Sequence, residues 1–245
     1  MDFLDIKNIS KSFGDTRVLN GISFGLAEHQ TLAILGRSGC GKTTLLKIIA
    51  GLLDGNGQVL LREQDISALP PQQRGIVYLY QETLLFPHLN VFENVAFGLR
   101  LRALPEAEIQ SRVGALLESL GLAGHARSMP TALSGGQKQR VSFGRALIVE
   151  PRLLLLDEPF GALDTETRGA MQALFKNIAA RQGITSVFVT HDLKEAVLMG
   201  DRLGYMEGGL LHIYDNLDAF AADEKTGMRR EIEFWKNLNR FNREF

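Results

Sequence analysis

Four short runs of this chain are continuously apolar, a pattern typical of strands that are buried on both faces of a parallel sheet. These runs are Thr31–Leu35, Ile76–Tyr80, Leu153–Asp157 and Ser186–Thr190. Segments with helical periodicity lie between them. Because strands that alternate with helices are typical of α/β folds, the pattern predicts a core with a mainly parallel sheet.

Two segments between the predicted strands repeat apolar residues at the spacing of one helix face. The first follows Pro105 and stops at Gly121, and the second follows Asp164 and ends near Gly183. Glycine is common just beyond a helix end, so both segments are predicted helices. Their apolar positions are Val113, Leu116, Leu117 and Leu120 in the first and Met171, Leu174, Phe175 and Ile178 in the second.

The two ends of the chain differ in pattern from its middle. Residues 2–9 and 17–24 resemble one hairpin, and Leu203–Met206 with Leu210–Tyr214 resemble another. Residues 86–150 are mostly helical in pattern. The predicted fold class is therefore α/β, with a parallel core sheet, an antiparallel β portion and an inserted helical subdomain.

Composition and charge narrow the classes of protein to which the chain can belong. Of its 245 residues, 45% are hydrophobic and 22% are charged, which argues for a folded globular protein against disorder or a coiled coil. The net charge is −1, so no bulk field attracts nucleic acid, and we expect no nucleic-acid partner. Cys40 is the single cysteine, which excludes an internal disulfide and suits a reducing compartment.

We expect no segment of this sequence to direct the chain into a membrane or to hold it there. Met1–Asp5 has no basic region followed by an apolar core, so we expect no secretory signal. No apolar run approaches the roughly 18–20 residues that cross a bilayer. We therefore expect any membrane role to depend on a partner protein.

The first glycine cluster has the chemistry of a phosphate-binding loop. Gly36–Thr43 fits the pattern GxxxxGK[ST] and lies between a predicted strand and a helix predicted at Thr44–Ala50. Glycines let successive amides point inward, and the helix presents its positive N-terminal end to phosphates. Lys42 is expected to reach the β- and γ-phosphates, and the Thr43 hydroxyl to bind Mg²⁺. The alternative is a glycine-rich turn with a chance lysine.

The strand predicted at Leu153–Asp157 leads into two adjacent carboxylates, Asp157 and Glu158. Consecutive side chains of a strand point in opposite directions, so we expect the two acids to have different roles. Asp157 suits the Mg²⁺ shell, and Glu158 suits a base that polarises the attacking water. The alternative is a strand that ends in solvated acids, against which the phosphate loop argues.

A second glycine cluster, Ser134-Gly135-Gly136, precedes a predicted helix that runs to about Val149. The amides and the hydroxyl at this helix N-terminus offer a second contact for a phosphate. Ser-Gly-Gly is equally an ordinary helix cap. The residues alone leave both interpretations open.

Taken together, these motifs resemble those of ATP-binding cassette (ABC) ATPases from about residue 3 to residue 214. Leu133–Gln137 reads LSGGQ, the family's signature, with the phosphate loop upstream and LLLLDEP downstream. Four further positions match family motifs in order: Phe13 matches the aromatic that stacks on adenine, Gln81 the Q-loop, Gly161–Asp164 the D-loop and His191 the switch histidine. The segment at residues 87–99 particularly resembles importer cassettes for sulfate, ferric iron, polyamines or nitrate.

The resemblance implies a protein that hydrolyses ATP with Mg²⁺, in which two cassettes pair head to tail as a homodimer or a mixed pair. The implied catalytic residues are Glu158, which orients the water, His191, which holds the γ-phosphate, and Gln81 and Lys42. The implied Mg²⁺ ligands are Thr43, Gln81 and Asp157. The implied nucleotide-binding residues are Phe13, Gly36, Arg37, Ser38, Gly39, Cys40, Gly41, Lys42, Thr43, Thr44 and, toward the other cassette's nucleotide, Ser134, Gly135, Gly136, Gln137 and Asp164.

The resemblance also implies partners and a location. Membrane permease subunits and a solute-binding protein would complete the transporter, with this chain peripheral at the cytoplasmic face of the cell membrane. Residues 81–88 would form a groove for a short permease helix, although an inter-subdomain core explains its apolar residues equally well. The apolar residues offered to the helix are Leu84, Leu85 and Phe86 in this segment and Val91 and Phe92 just after it. The alternative functions are the ATPase of an exporter or lipoprotein-release system and a soluble ABC protein outside transport.

Some positions depart from the family pattern. Phe13 replaces a common tyrosine and Arg37 a common proline, and neither change is expected to abolish ATP binding. Beyond Tyr214 the resemblance weakens, and we expect an ATPase domain over residues 1–230, a short amphipathic tail over residues 231–245 and no regulatory domain. Its apolar face would comprise Phe234, Leu238, Phe241 and Phe245, with Trp235 beside it. We favour packing of this tail on the cassette over contact with a membrane subunit or a membrane surface.

Overall fold

The computed structural model describes residues 2–161 and 163–241. Its strands, in chain order, are β1 (Leu4–Phe13), β2 (Thr16–Leu26), β3 (Thr31–Gly36), β4 (Asn56–Leu61), β5 (Gln64–Asp65), β6 (Ile76–Leu79), β7 (Leu153–Asp157), β8 (Ser186–Thr190), β9 (Arg202–Glu207) and β10 (Leu210–Tyr214). Its helices are α1 (Lys42–Ala50), α2 (Val91–Leu101), α3 (Glu106–Ser119), α4 (Gly135–Leu147), α5 (Thr165–Gln182), α6 (Leu193–Met199), α7 (Leu217–Ala222) and α8 (Met228–Phe241).

The chain divides into two compact units, which are described separately. The first unit comprises the described residues up to Arg74 and from Thr185 onward, and the second comprises those between Gly75 and Ile184. The first therefore holds the phosphate loop and His191, whereas the second holds Gln81, the signature, the acidic strand end and the D-loop.

The first unit contains two groups of strands. Strands β2, β1, β4 and β5 pair in that order, all antiparallel, which confirms the predicted N-terminal hairpin. Strand β3 pairs in parallel with both β8 and β9, and β9 pairs antiparallel with β10. Every residue of β3 and of β8 is buried, as their continuous apolar pattern predicts. This parallel group carries the phosphate loop at the end of β3 and His191 at the end of β8.

The second unit is mostly helical around one parallel strand pair. Strands β6 and β7 run in parallel register from Ile76 opposite Leu153 to Leu79 opposite Leu156. The predicted apolar face of α3 is buried, and the helix ends where Gly121 adopts a φ of 66°. On α5 Leu174 is only half-buried, whereas the other predicted positions of that face are buried. The predicted mixed α/β fold with parallel and antiparallel pairing is confirmed.

The C-terminal helix α8 is described as far as Phe241. Phe234 is exposed over 55% of its surface, and Glu231 pairs with Lys194 of α6 at 3.3 Å. The predicted apolar face of the tail extends to Phe245, which lies outside the described residues, as do the side chains of Trp235, Leu238 and Phe241. Within the described ranges, none of the helices has the length and the apolar composition that crossing a bilayer requires.

Candidate functional site

The phosphate loop connects β3 to α1 through a backbone that only glycine adopts without strain. Gly39 and Gly41 have φ angles of 81° and 110°, and Gly41 is the N-cap residue of α1. A Cβ atom on Gly36 would lie 2.5 Å from the carbonyl oxygen of Met206. No side chain caps the N-terminus of α1. This is the construction expected of an anion-binding helix N-terminus.

Lys42 is only 4% exposed, and its ammonium group is held by the loop that it follows. Nζ donates hydrogen bonds to the carbonyl oxygens of Gly36 at 2.6 Å and Arg37 at 3.1 Å. Because these bonds span five and six residues, they curl the loop around the charge. Among the other predicted nucleotide-binding residues of the loop, Arg37, Ser38, Gly39 and Thr43 are exposed, and Cys40 and Thr44 are half-buried.

His191 follows directly after β8, in a turn held by hydrogen bonds. The Thr190 hydroxyl donates to Glu195 Oε2 at 2.7 Å and accepts a bond from the amide of Asp192 at 2.9 Å. The Asp192 carboxylate in turn caps α6. The exposed His191 lines an open cleft of about 490 Å³ together with Gly36 and Arg37. The structure thus brings the predicted switch histidine and the start of the phosphate loop to one cleft.

Phe13 lies at the end of β1, with 51% of its surface exposed. Lys11, two residues earlier on the same strand, places Nζ 5.3 Å from the centre of the Phe13 ring. An aromatic ring exposed in this way can stack on a planar ligand.

Asp157 is the last residue of β7 and is only 7% exposed. Its Oδ2 atom accepts a hydrogen bond of 2.7 Å from the Tyr78 hydroxyl. Burial, together with this bond to the carboxylate, raises the pKa of Tyr78 far above its usual range, so the phenol keeps its proton and donates. Sequence reasoning missed Tyr78, because the contact depends on the register of β6 against β7.

Glu158 corrects one step of the sequence argument. Strand β7 stops at Asp157, and Glu158 adopts a left-handed φ of 45° immediately before Pro159. Glu158 therefore lies in the turn after the strand, so the alternation of side chains along a strand does not apply to this pair of acids. A non-glycine residue in this conformation is uncommon and strained, and strain of this kind is found at active sites among other places.

Two glutamines lie close to this turn. A Cβ atom on Gly161, at the start of the D-loop, would lie 3.6 Å from Nε2 of the exposed Gln81. Gln139 of α4 is 2% exposed and donates a hydrogen bond of 2.5 Å to the carbonyl oxygen of Pro159. Gln139 is a second residue that sequence reasoning missed, because nothing local marks a contact across twenty residues.

The signature residues form a complete helix cap. The Ser134 hydroxyl accepts a hydrogen bond from the amide of Gln137 at 3.3 Å, and Gln137 Oε1 accepts one from the amide of Ser134 at 2.9 Å. This reciprocal pair is a capping box at the start of α4. Ser134 and Gly135 are exposed, and a Cβ atom on Gly136 would lie 2.5 Å from the Thr167 methyl group. Within one chain the cluster thus serves as a helix cap.

Asp164 is the N-cap residue of α5. Its Oδ1 atom accepts a hydrogen bond from the amide of Thr167 at 3.0 Å, and this bond lowers the pKa of the Asp164 carboxyl. The D-loop aspartate therefore has a structural role within the chain. Ala162, in the middle of the D-loop, lies outside the described residues.

The three predicted Mg²⁺ ligands offer a hydroxyl, an amide and a carboxylate oxygen, from Thr43, Gln81 and Asp157 respectively. Mg²⁺ prefers oxygen ligands, usually one or two carboxylates with nucleotide phosphates and water. Thr43 and Gln81 are exposed, and Asp157 is buried with one carboxylate oxygen bonded to Tyr78. The donor set therefore suits the ion that accompanies a nucleotide.

Comparison with known proteins identifies relatives of this chain. The spermidine/putrescine import ATP-binding protein PotA of Thermotoga maritima is 49% identical over 84% of this chain and 56% of its own length. The sulfate/thiosulfate import ATP-binding protein CysA of Methylococcus capsulatus is 46% identical over 88% and 63%. The molybdate/tungstate import ATP-binding protein WtpC of Pyrococcus horikoshii is 42% identical over 94% and 67%.

The chain thus spans 56% to 67% of the length of these three relatives. A family model described as ABC transporter matches residues 19–161, from within β2 through the phosphate loop, the signature and the acidic strand end. The predicted resemblance is confirmed, and the chain belongs to the ABC transporter family as a homologue of its import ATP-binding proteins.

Proposed function

We propose that this chain is the ATP-hydrolysing subunit of an ABC importer. The observation that carries the proposal is the phosphate loop, whose helix has no side-chain cap and whose lysine is held against two loop carbonyls. Such a terminus stabilises bound phosphate with backbone amides, the helix dipole and a fixed positive charge. The import direction is supported by three relatives named for the uptake of different solutes.

The proposed nucleotide contacts follow from the exposed groups of the first unit. Phe13 stacks on the adenine, and the residues from Gly36 to Thr44 hold the phosphates, with Lys42 at the β- and γ-phosphates. His191 donates a hydrogen bond to the γ-phosphate. The cleft that contains His191 and the start of the phosphate loop supports this assignment.

Hydrolysis is assigned to Glu158. Its carboxylate orients the attacking water and accepts a proton from it, while Lys42 stabilises the negative charge that develops on the phosphoryl oxygens. Thr43, Asp157 and Gln81 would hold Mg²⁺, which supplies further charge neutralisation when bound. The strained backbone of Glu158 supports this assignment, because the turn that imposes it is closed at the end of β7 by a hydrogen bond of 3.2 Å from the Gly161 amide to the Glu158 carbonyl oxygen.

A head-to-tail pair of cassettes completes each site in the proposed mechanism. Ser134, Gly135, Gly136 and Gln137 of one chain meet the γ-phosphate that is bound by the other, and Asp164 couples the two sites. Since the γ-phosphate contacts both chains, ATP favours the pair and hydrolysis releases it, which is a differential affinity that can drive a transport cycle.

A permease and a solute-binding protein are the other proposed partners. Leu84, in the segment that follows Gln81, is 50% exposed and supports a docking surface for a permease helix. Val91 is fully buried and belongs to the helical core, so we leave it out of this surface. The relatives differ in named solute at similar identity, so we assign solute choice to the permease and the binding protein. The chain would then lie peripherally at the cytoplasmic membrane face.

The test of hydrolysis is Glu158→Gln, with Glu118→Gln on the exposed face of α3 as the matched control. Loss of a general base typically lowers turnover about 10²–10⁴-fold. We expect that loss in steady-state ATP hydrolysis, with ATP affinity retained and ATP-dependent dimers accumulating in light scattering. Turnover near that of the unmodified chain would remove Glu158 from the proposed role. For direction, neighbouring genes for a permease and a binding protein are expected, and a fused exporter partner would argue against import.

A further inference from the structure

The register of the parallel pair β6 and β7 places a tyrosine beside the carboxylate that is assigned to Mg²⁺. Tyr78 is opposite Leu155, and in a parallel pair opposite residues share a sheet face. Leu155 and Asp157 share that face, because they are two residues apart on one strand. The separation along the strand is about 6–7 Å, which a tyrosine side chain spans. The hydroxyl of Tyr78 therefore meets Asp157 as a consequence of strand pairing.

This contact engages one defined oxygen of the carboxylate. The Tyr78 hydroxyl donates to Asp157 Oδ2 at 2.7 Å, where Asp157 is 7% exposed and Tyr78 is half-buried. A carboxylate on a strand end can rotate about its terminal bond, and this rotation is broad unless a partner fixes it. A donor held in the strand pair and bonded to Oδ2 fixes the plane of the carboxylate.

Resting on the proposed function, the geometry points to Tyr78 as a positioning residue for the Mg²⁺ that accompanies ATP. By donating to Oδ2, Tyr78 holds the Asp157 carboxylate in one orientation and thereby sets the affinity of the nucleotide complex for the metal. Partners that orient a metal ligand in this way typically contribute 10–100-fold to metal affinity or activity.

The competing interpretation is that Tyr78 only fills space. Its ring packs against Tyr80, with ring centres 4.5 Å apart and an interplanar angle of 52°. Phenylalanine keeps this packing and removes only the hydroxyl. Tyr80 offers a matched control, since it lies two residues further along the chain and is 38% exposed. The pair Tyr78→Phe and Tyr80→Phe therefore removes the same group from two adjacent rings.

The experiment measures metal binding directly rather than turnover. Mn²⁺ is titrated into the Glu158→Gln variant of the whole 245-residue chain with ATP. The concentration of the free ion is measured by electron paramagnetic resonance, with ATP alone as the baseline. We expect Tyr78→Phe to weaken Mn²⁺ binding to the protein–ATP complex roughly 10-fold, and Tyr80→Phe to leave it unchanged. ATP affinity in EDTA should be the same in all variants. Thermal unfolding checks that each variant folds.

A second comparison tests whether Tyr78 acts through Asp157. In an Asp157→Asn background, adding Tyr78→Phe should have no further effect on Mn²⁺ binding, because the oriented carboxylate is already gone. Equal Mn²⁺ affinity for Tyr78→Phe and the parent chain would overturn the inference, as would an undiminished effect in the Asp157→Asn background. If the parent chain with ATP binds no more Mn²⁺ than ATP alone, the proposed metal site itself fails.

Discussion

The helices α1 and α4 both begin at glycine-rich turns, yet their N-termini are built in opposite ways. Helix α1 starts at a left-handed Gly41 with no side-chain cap, and its first residue, Lys42, bonds to loop carbonyls. Helix α4 starts at Ser134 with a closed capping box to Gln137. The first terminus has no side-chain cap, whereas the amides of the second are capped by side chains of its own residues.

This difference explains how both glycine clusters could contact the phosphates of ATP, as the proposed mechanism requires. In the proposed mechanism, the terminus without a side-chain cap presents its amides to the phosphates of the nucleotide that is bound by the same chain. A capped terminus is stable alone and needs no ligand within its own chain. That is the property expected of a surface which contacts the nucleotide of a second cassette only while the pair is closed.

The largest expected effect comes from removing the positive charge of Lys42 at the N-terminus of α1. Lys42→Ala deletes charge-assisted hydrogen bonds that are each worth about 1.5–3 kcal/mol, so we expect ATP affinity to fall at least 100-fold or so. Binding of a fluorescent ATP analogue measures this loss. Lys47→Ala, in the last turn of the same helix, is the control and should bind normally. Unchanged affinity in Lys42→Ala would argue against the phosphate-loop assignment.

Two substitutions at Ser134 separate its role as the cap of α4 from its proposed contact with the γ-phosphate. Ser134→Ala removes the cap and should lower the free energy of unfolding by about 1 kcal/mol. Ser134→Asp keeps a good cap but brings a negative charge to the proposed γ-phosphate contact. We expect it to remain folded while steady-state hydrolysis falls about 100-fold, the scale for losing one transition-state donor. A fully active Ser134→Asp chain would leave Ser134 as a helix cap only.

Local patterns in the sequence predicted most of the elements that hold these termini. Strand β7 falls where its apolar run predicted, and α3 ends where Gly121 predicted, because burial and glycine conformations are encoded within a few residues. A helix cap was one of the two interpretations left open for Ser134-Gly135-Gly136, and the structure shows it as a capping box with Gln137. The candidate residues were predicted from motifs, and their roles remain proposals.

Other features depend on neighbours that the chain order does not reveal. Tyr78 reaches Asp157 only through the register of β6 and β7, and Gln139 reaches the Pro159 carbonyl only through helix packing. Glu158 adopts its left-handed conformation because the turn around it dictates one, against the preference of the residue itself. The hydrophobic periodicity of a sequence does not predict contacts between distant residues, nor backbone strain that the surrounding structure imposes.

The N-terminus of α5 is capped by a charged residue, Asp164, and substitution there gives the smallest expected effect, a change in the pH dependence of stability. Asp164 accepts a hydrogen bond from the amide of Thr167, and its pKa is lowered as a result. A carboxyl whose pKa is lowered in the folded state stabilises the fold at pH values above its unfolded-state pKa, which is near 4. That stabilisation is lost as the pH falls through the lower folded-state pKa. Asp164→Asn keeps a neutral cap and removes this dependence.

We therefore expect the stability advantage of the parent chain over Asp164→Asn to be constant above about pH 5 and to shrink below pH 4. Urea unfolding at pH values from 3 to 7 measures it, with the exposed Asp215→Asn as the control. An advantage that stays constant through acid pH would mean that the charge of Asp164 does not contribute to the cap. In that case α5 would join α4 as a terminus capped by hydrogen bonding alone, and α1 would remain the one described glycine-loop terminus at which charge and backbone act together.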